Sequence, residues 1–93
     1  MKNKKINLIR KKLDKLDLKM LTLIKKRSFL VNKILKEKKY KNQIIDNERI
    51  RIILKKIKKE SKKINLESKI TNPIWKAMIR SFINYEYRNF KKK

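Results

Sequence analysis

Residues 6–38 of the chain read INLIRKKLDKLDLKMLTLIKKRSFLVNKILKEK, and this stretch decides the fold. Its apolar residues recur at alternating steps of three and four, the heptad spacing of a long amphipathic helix. The pattern predicts a helix from about Lys5 to Lys38 or Lys39, roughly 50 Å long. Because a compact monomer of 93 residues is too small for such a helix, we expect a partner along it, in a dimer or an extended bundle. The apolar positions are Ile6, Ile9, Leu13, Leu16, Met20, Leu23, Leu30 and Ile34.

One position of this apolar stripe carries a charge. Where the spacing calls for an apolar residue between Leu23 and Leu30, the sequence has Arg27. A charge on the buried face of a helix is costly unless an anion or a carboxylate meets it. Two interpretations follow. The Arg27 side chain extends to the helix edge or pairs with an acid, or it belongs to an anion site inside a helical bundle.

The composition excludes several kinds of chemistry. The chain has no Gly, no Cys and no His, so glycine-rich phosphate loops, thiolate or imidazole metal sites and His-based triads are absent. We predict no metal and no cofactor, and the length indicates one domain over residues 1–93. No apolar run is long enough for a membrane span. The basic start leads into an amphipathic stretch, unlike a signal peptide, so we predict a cytoplasmic protein.

The net charge is +23, from 31 basic and 8 acidic residues. This balance is typical of proteins whose partners are nucleic acids, anionic surfaces or anionic small molecules. The basic residues are spread over every predicted helix, and Trp75, Phe82 and Phe90 fall on predicted core faces rather than among exposed cations, where they would stack on bases. We therefore favour an anionic small molecule, with a basic helical nucleic-acid-binding protein as an alternative.

A second, shorter helix follows a loop. Residues 39–45 break the apolar pattern, and Asp46 is typical of a helix N-cap. The helix is predicted from about Asn47 to Ile64, and Asn65 is a suitable stop. Its apolar face comprises Ile50, Ile53, Leu54, Ile57 and Ile64.

The third helix has two possible starts, one near Ser68 and one at Asn72-Pro73. Glu86 lies on its apolar side, so a second charge sits on a predicted core face. The simplest interpretation is a rim residue paired with a lysine. The three helices define an all-α class with antiparallel packing. The apolar side comprises Ile74, Trp75, Met78, Ile79, Phe82, Ile83 and Phe90.

Three cations of the first helix can be placed on a helical wheel. Lys38 follows Arg27 by 11 residues, so the two point the same way within about 20° and lie about 16 Å apart. Their long side chains could bracket a ligand the size of a benzene ring. Arg10 lies about 25 Å from Arg27 and about 100° round the helix. In an antiparallel dimer Arg10 could reach the site of the second chain, which would give two equivalent sites lined by both chains.

Several segments keep a characteristic order and spacing along the chain: IRKKLDKLD at residues 9–17, Lys26-Arg27, Lys38, DNER at residues 46–49, Ile74-Trp75, Met78-Ile79 and Glu86. Together they resemble the all-helical chorismate mutase family, over essentially the whole chain. The resemblance implies an intertwined antiparallel homodimer of three-helix chains with two active sites. It also implies an isomerase that converts chorismate to prephenate in aromatic amino-acid biosynthesis.

The resemblance further implies roles for individual residues. Arg27, and Arg10 from the second chain, would hold the two carboxylates of chorismate. Lys38 would donate a hydrogen bond to the ether oxygen or to a carboxylate. Asp46 and Arg49 would lie at the ring-hydroxyl end.

Glu86 falls where the family has Gln or Glu, facing the ether oxygen. A carboxylate cannot donate a hydrogen bond to that oxygen, whereas the protonated acid can. We therefore predict that activity rises toward mildly acidic pH, and that Glu86→Gln flattens the pH profile.

Two positions depart from the mutase pattern. The family's mutases usually carry a Glu that contacts the ring hydroxyl directly after the Arg of the second helix, and this chain has Ile50. Near the middle of the third helix, where Ser is common, it has Phe82. Both positions are similar to those of the isochorismate-pyruvate lyases, a related branch that forms salicylate from isochorismate. We favour the mutase because it serves ordinary aromatic amino-acid synthesis, with the lyase as the alternative.

Overall fold

The computed structural model describes residues 3–91, and these form three α-helices in the order that the sequence predicts. The helices are α1 at Lys4–Glu37, α2 at Asn47–Lys63 and α3 at Ser68–Asn89, with one turn of 3₁₀ helix at Lys41–Gln43. Residues 3–91 contain no strand, so the all-α class is confirmed. The bounds predicted for α1 and α2 are correct to within two residues. Among the described helices, none has an apolar stretch long enough to cross a membrane.

Local hydrogen bonds fix both ends of α2. Asp46 is its N-cap, and the Asp46 carboxylate accepts the backbone N–H of Arg49 at 2.9 Å, as predicted. At the other end, Asn65 adopts a φ of 57°. Its N–H donates to the Lys62 carbonyl at 3.2 Å, and the next N–H donates to the Ser61 carbonyl at 2.9 Å. This is a Schellman ending, in which Asn takes the left-handed position usually given to Gly.

Of the two predicted starts for α3, the earlier one is correct. The helix begins at Ser68, and Pro73 lies inside it. The N–H groups of Ile70 and Thr71 already donate to the Glu67 carbonyl, at 3.0 and 3.4 Å. The first turn is therefore formed before the proline is reached, and the start at Asn72-Pro73 is wrong.

The chain divides into two units by internal packing. The first ends at Val31 and the second begins at Asn32. In the first unit no side chain of residues 3–31 is buried, and Leu16 and Leu23 of the apolar stripe are 53% and 59% exposed. In the second unit α2 packs against α3, and their four-residue connection makes them antiparallel neighbours. The single domain over residues 1–93 stays a prediction.

The packing of α2 on α3 includes a buried pair of hydroxyl groups. Ser61 Oγ donates to the Ile57 carbonyl at 2.6 Å and lies 2.9 Å from the Thr71 hydroxyl. Because the one hydroxyl hydrogen of Ser61 is used on Ile57, Thr71 is the donor of the second bond. Both side chains are thus satisfied within the core.

The predicted apolar faces of α2 and α3 are mostly correct. On α2, only Ile64 departs from the prediction, since it is 70% exposed. Ile64 is the C-cap residue, where the chain leaves the helix and the helical spacing no longer applies. On α3, Ile74 is also exposed, and the remaining predicted residues of both faces are half-buried.

Candidate active site

An ion pair between Lys38 and Glu86 forms the centre of the candidate site. Lys38 lies one residue beyond the end of α1, and Glu86 lies in the last turn of α3. The Lys38 ammonium is 2.8 Å from Glu86 Oε1, and the two side chains are only 17% and 9% exposed. Glu86 is therefore a buried partner of Lys38, and its interpretation as a rim residue is wrong.

The Lys38 ammonium makes a second contact with the chain. Its Nζ lies 3.4 Å from the carbonyl oxygen of Ile44, which follows the 3₁₀ turn and is 3% exposed. An ammonium has three N–H donors. Among the contacts recorded within residues 3–91, Glu86 and Ile44 use two of them, so one N–H of Lys38 is left for a further acceptor.

The predicted residues of α2 lie in its first turn. The Asp46 carboxylate caps the helix, and the neighbouring Arg49 side chain is exposed. Ile50, in the position where mutases carry Glu, is half-buried. On α3, Phe82 is half-buried one turn before Glu86, so the two side chains share a face of the helix.

The two remaining predicted residues, Arg10 and Arg27, belong to the first unit. Both lie on α1, Arg10 exposed and Arg27 half-buried. Arg27 thus occupies the apolar stripe, as the heptad spacing predicts, without being fully exposed.

Sequence reasoning missed the contribution of the segment between α1 and α2. Gln43 Oε1 accepts the backbone N–H groups of Lys39 and Tyr40 at 2.7 and 2.9 Å. Gln43 lies three residues after Tyr40, the N-cap of the 3₁₀ turn, which is the spacing of a capping box, and this signal could have found it. The carbonyl of Ile44 has no such signal, because a main-chain acceptor is independent of residue type.

The second unit also has an open cleft. It has a volume of about 360 Å³ and is lined by Asn32, Leu35, Tyr85 and Phe90, among others. None of the predicted site residues lines it. We therefore take the Lys38–Glu86 pair, rather than this cleft, as the centre of the candidate active site.

A family model described as chorismate mutase type II matches residues 9–87. This range contains every predicted site residue, and it identifies the chain as an isomerase. The chain belongs to the chorismate mutase type II family, and its function is that of a chorismate mutase. No curated protein and no solved structure matches the chain. Neither the lyase reaction nor nucleic-acid binding receives support from these comparisons.

Proposed function

We propose that Lys38 and Glu86 face the ether oxygen of chorismate, while Arg27 and the Arg10 of a second chain hold its two carboxylates. The observation that carries this proposal is the Lys38 ammonium, held 2.8 Å from the buried Glu86 carboxylate with one N–H left over. A fixed and largely dry cation of this kind suits an anionic ligand better than a solvated surface lysine does.

The chemistry of the reaction matches these groups. In the rearrangement of chorismate to prephenate, the ether C–O bond breaks and a C–C bond forms in a single pericyclic step. The enzyme must hold a dianion in a compact conformer and place a donor where negative charge develops on the ether oxygen. Arginine forks suit the carboxylates, and the remaining N–H of Lys38 suits the ether oxygen.

The residues at the start of α2 and in α3 would complete the site. Arg49 and Asp46 would lie at the ring-hydroxyl end, with Ile50 and Phe82 as apolar walls. Because the Asp46 carboxylate already accepts the Arg49 N–H, one oxygen of Asp46 remains for a hydroxyl group. Ile50 cannot replace the hydrogen bonds of the Glu that mutases usually carry.

We propose an intertwined antiparallel homodimer as the active form. The apolar stripe of α1 is exposed, including Leu16 and Leu23. A contiguous apolar surface of this kind is what a protein interface buries. Only a second chain brings Arg10 to the site in this arrangement.

The deciding experiment compares chorismate and isochorismate as substrates of the purified protein, with identification of the products. We expect prephenate from chorismate, with Ile50 a tolerated departure. Salicylate and pyruvate from isochorismate, with poor turnover of chorismate, would instead assign the chain to the lyase branch. Half-buried Ile50 and Phe82 would then be the residues that determine the reaction. Turnover of neither substrate would refute both assignments.

A matched pair of variants tests the role of Lys38. Lys38→Ala should lower kcat/KM for chorismate by about 10² to 10³, the usual effect of removing one donor to a developing oxyanion. Lys33→Ala removes an exposed lysine near the end of α1, five residues before Lys38, and should leave kcat/KM unchanged. Equal losses in the two variants would show that Lys38 acts only through net charge.

We also propose that the enzyme serves aromatic amino-acid biosynthesis, in the shikimate pathway and in the cytoplasm. The proposal rests on the family's reaction, since prephenate is the precursor of aromatic amino acids. A strain that lacks its own chorismate mutase should grow without phenylalanine and tyrosine when it expresses this chain. Failure of an expressed, folded chain to restore growth would contradict the proposed pathway.

A further inference from the structure

Lys38 lies just outside the helix that leads to it. α1 ends at Glu37, and the backbone N–H of Lys38 donates to the Leu35 carbonyl at 3.1 Å, which closes the last turn. No helical turn follows to fix the direction of the Lys38 side chain. The position of its ammonium therefore depends on Glu86 and on the segment that ends at Ile44.

The side chain of Gln43 organises that segment. Its Oε1 accepts the N–H groups of Lys39 and Tyr40, at 2.7 and 2.9 Å, and so uses both lone pairs of the amide oxygen. In return, the backbone N–H of Gln43 donates to the Tyr40 carbonyl at 3.0 Å. The Gln43 side chain thus links Lys39, which directly follows Lys38, to Gln43 itself, which directly precedes Ile44.

A second contact holds the same segment against α3. The Lys41 ammonium lies 5.9 Å from the centre of the Tyr87 ring, within the range of a cation–π interaction. Tyr87 follows Glu86 in sequence, so Lys41 meets the same turn of α3 that Lys38 contacts through Glu86. Ile44 is almost completely buried, which gives its carbonyl oxygen a fixed position.

We propose that Gln43 is a positioning residue for the reaction. By fixing residues 39–44, it aims the Ile44 carbonyl at Lys38 and holds the remaining N–H of the ammonium toward the substrate. This proposal rests on the proposed role of Lys38. Gln43 is itself exposed, and it acts on the substrate only through Lys38.

The proposal predicts a loss in kcat rather than in substrate binding. The carboxylates of the substrate are held by arginines that Gln43 does not touch, so KM should change little. The donor to the ether oxygen matters most in the transition state, and a small misplacement of such a donor is costly.

Three variants separate positioning from a merely structural role. Gln43→Ala removes the acceptor, and Gln43→Glu keeps an oxygen that accepts both N–H groups. Asn42→Ala changes the adjacent exposed residue of the same turn and is the control. Gln43→Ala should lower kcat about tenfold with less than about a threefold change in KM, whereas the other two variants should resemble the wild type.

Two measurements on the folded protein, made without substrate, test the mechanism directly. Amide hydrogen exchange reports the N–H groups of Lys39 and Tyr40, and acylation of lysines by an amine-reactive ester, mapped by mass spectrometry, reports the exposure of Lys38. In Gln43→Ala, both rates should rise at least about threefold. Unchanged exchange and unchanged Lys38 acylation would overturn the proposal, as would a Gln43→Glu variant as impaired as Gln43→Ala.

These readouts keep this proposal distinct from the proposed function. If the wild-type protein converts no chorismate, the proposed function fails, and the acylation of Lys38 alone decides whether Gln43 positions it. If chorismate is converted and Lys38 acylation does not respond to Gln43→Ala, the proposed function stands and the positioning role fails.

Discussion

The two units of the chain differ in which of their residues are buried. The first unit carries the most regular apolar pattern of the sequence, yet none of its residues 3–31 is buried. The second unit has shorter apolar faces, on α2 and α3, and contains all the residues that are buried within the described range 3–91. Of the five buried residues among residues 32–91, three are polar or charged, namely Ser61, Thr71 and Glu86, and the other two are Leu35 and Ile44.

The difference shows which part of the chain is satisfied by its own contacts. In the second unit each buried polar side chain has a partner within the same unit, Ser61 with Thr71 and Glu86 with Lys38. In the first unit the apolar stripe has no cover, and a half-exposed leucine forgoes much of the roughly 1.5–3 kcal/mol that full burial contributes. The buried polar side chains of the second unit are paired within it, whereas the apolar stripe of the first unit is exposed.

The largest expected effect comes from placing charges on the apolar stripe of the first unit. Leu16→Asp and Leu23→Asp together place two charges on the apolar stripe. If a second chain covers the stripe, self-association should weaken by at least about 100-fold, because each burial lost costs more than 1 kcal/mol. Sedimentation velocity measures the association, and circular dichroism measures the helix content.

A control for this prediction lies on the same helix. Leu18→Asp changes a leucine that is 64% exposed and lies outside the heptad positions. Association should persist in this variant. Equal weakening by the stripe variants and by Leu18→Asp would mean that the stripe is not the interface.

The second prediction concerns the buried ion pair of the second unit, between Lys38 and Glu86. Lys38→Met leaves the Glu86 carboxylate buried without its partner, which should lower the free energy of unfolding by about 3 kcal/mol. Adding Glu86→Leu removes the buried charge and should restore most of that loss. Urea titration at one fixed protein concentration measures both variants. A double variant no more stable than Lys38→Met would argue against a buried ion pair.

The third prediction concerns the hydroxyl pair between α2 and α3. Thr71→Val removes the donor and leaves Ser61 bonded to the Ile57 carbonyl, at a cost of about 1 kcal/mol. Ser61→Ala leaves the buried Thr71 hydroxyl without its acceptor and should cost about 2 kcal/mol. Thermal unfolding should rank the two variants in that order, and the reverse order would contradict the donor assignment.

The smallest expected effect tests whether Glu86 takes part in the reaction in addition to stabilising the fold. If Glu86 donates to the ether oxygen, it does so only as the protonated acid, whose fraction rises as pH falls. The kcat for chorismate should therefore be higher at mildly acidic pH than at neutral pH. In Glu86→Gln the amide donates at every pH, so the profile should be flat. An identical profile in both proteins would remove Glu86 from the chemistry.

Features that depend on a few neighbouring residues were predictable from the sequence. The N-cap at Asp46 and the stop at Asn65 are local hydrogen-bonding devices, and both are confirmed. The start of α3 stayed open because Pro73 suits a first turn as well as an early helical position. Helical spacing puts Ile64 on the apolar face, but as the C-cap residue it no longer follows that spacing and is 70% exposed.

The centre of the site was predictable only in part. Lys38 stands out on the helical wheel and Glu86 as a charge on an apolar face, and the resemblance implies their roles. Their contact joins residues 48 positions apart, and no local spacing encodes such a pairing. The 3₁₀ turn and the Ile44 carbonyl were missed for a related reason. Main-chain acceptors carry no side-chain signature, and a turn of three residues has too little periodicity to detect.

The short connection between α2 and α3 also affects the order in which parts of the chain fold. Its Schellman ending and its four-residue length bring the two helices together through contacts close in sequence, and such contacts form fast. The apolar stripe of α1 can be covered by a second chain only after two chains meet, a step whose rate depends on concentration. If a second chain covers the stripe, refolding should show a fast phase independent of dilution, followed by a slower phase that dilution delays.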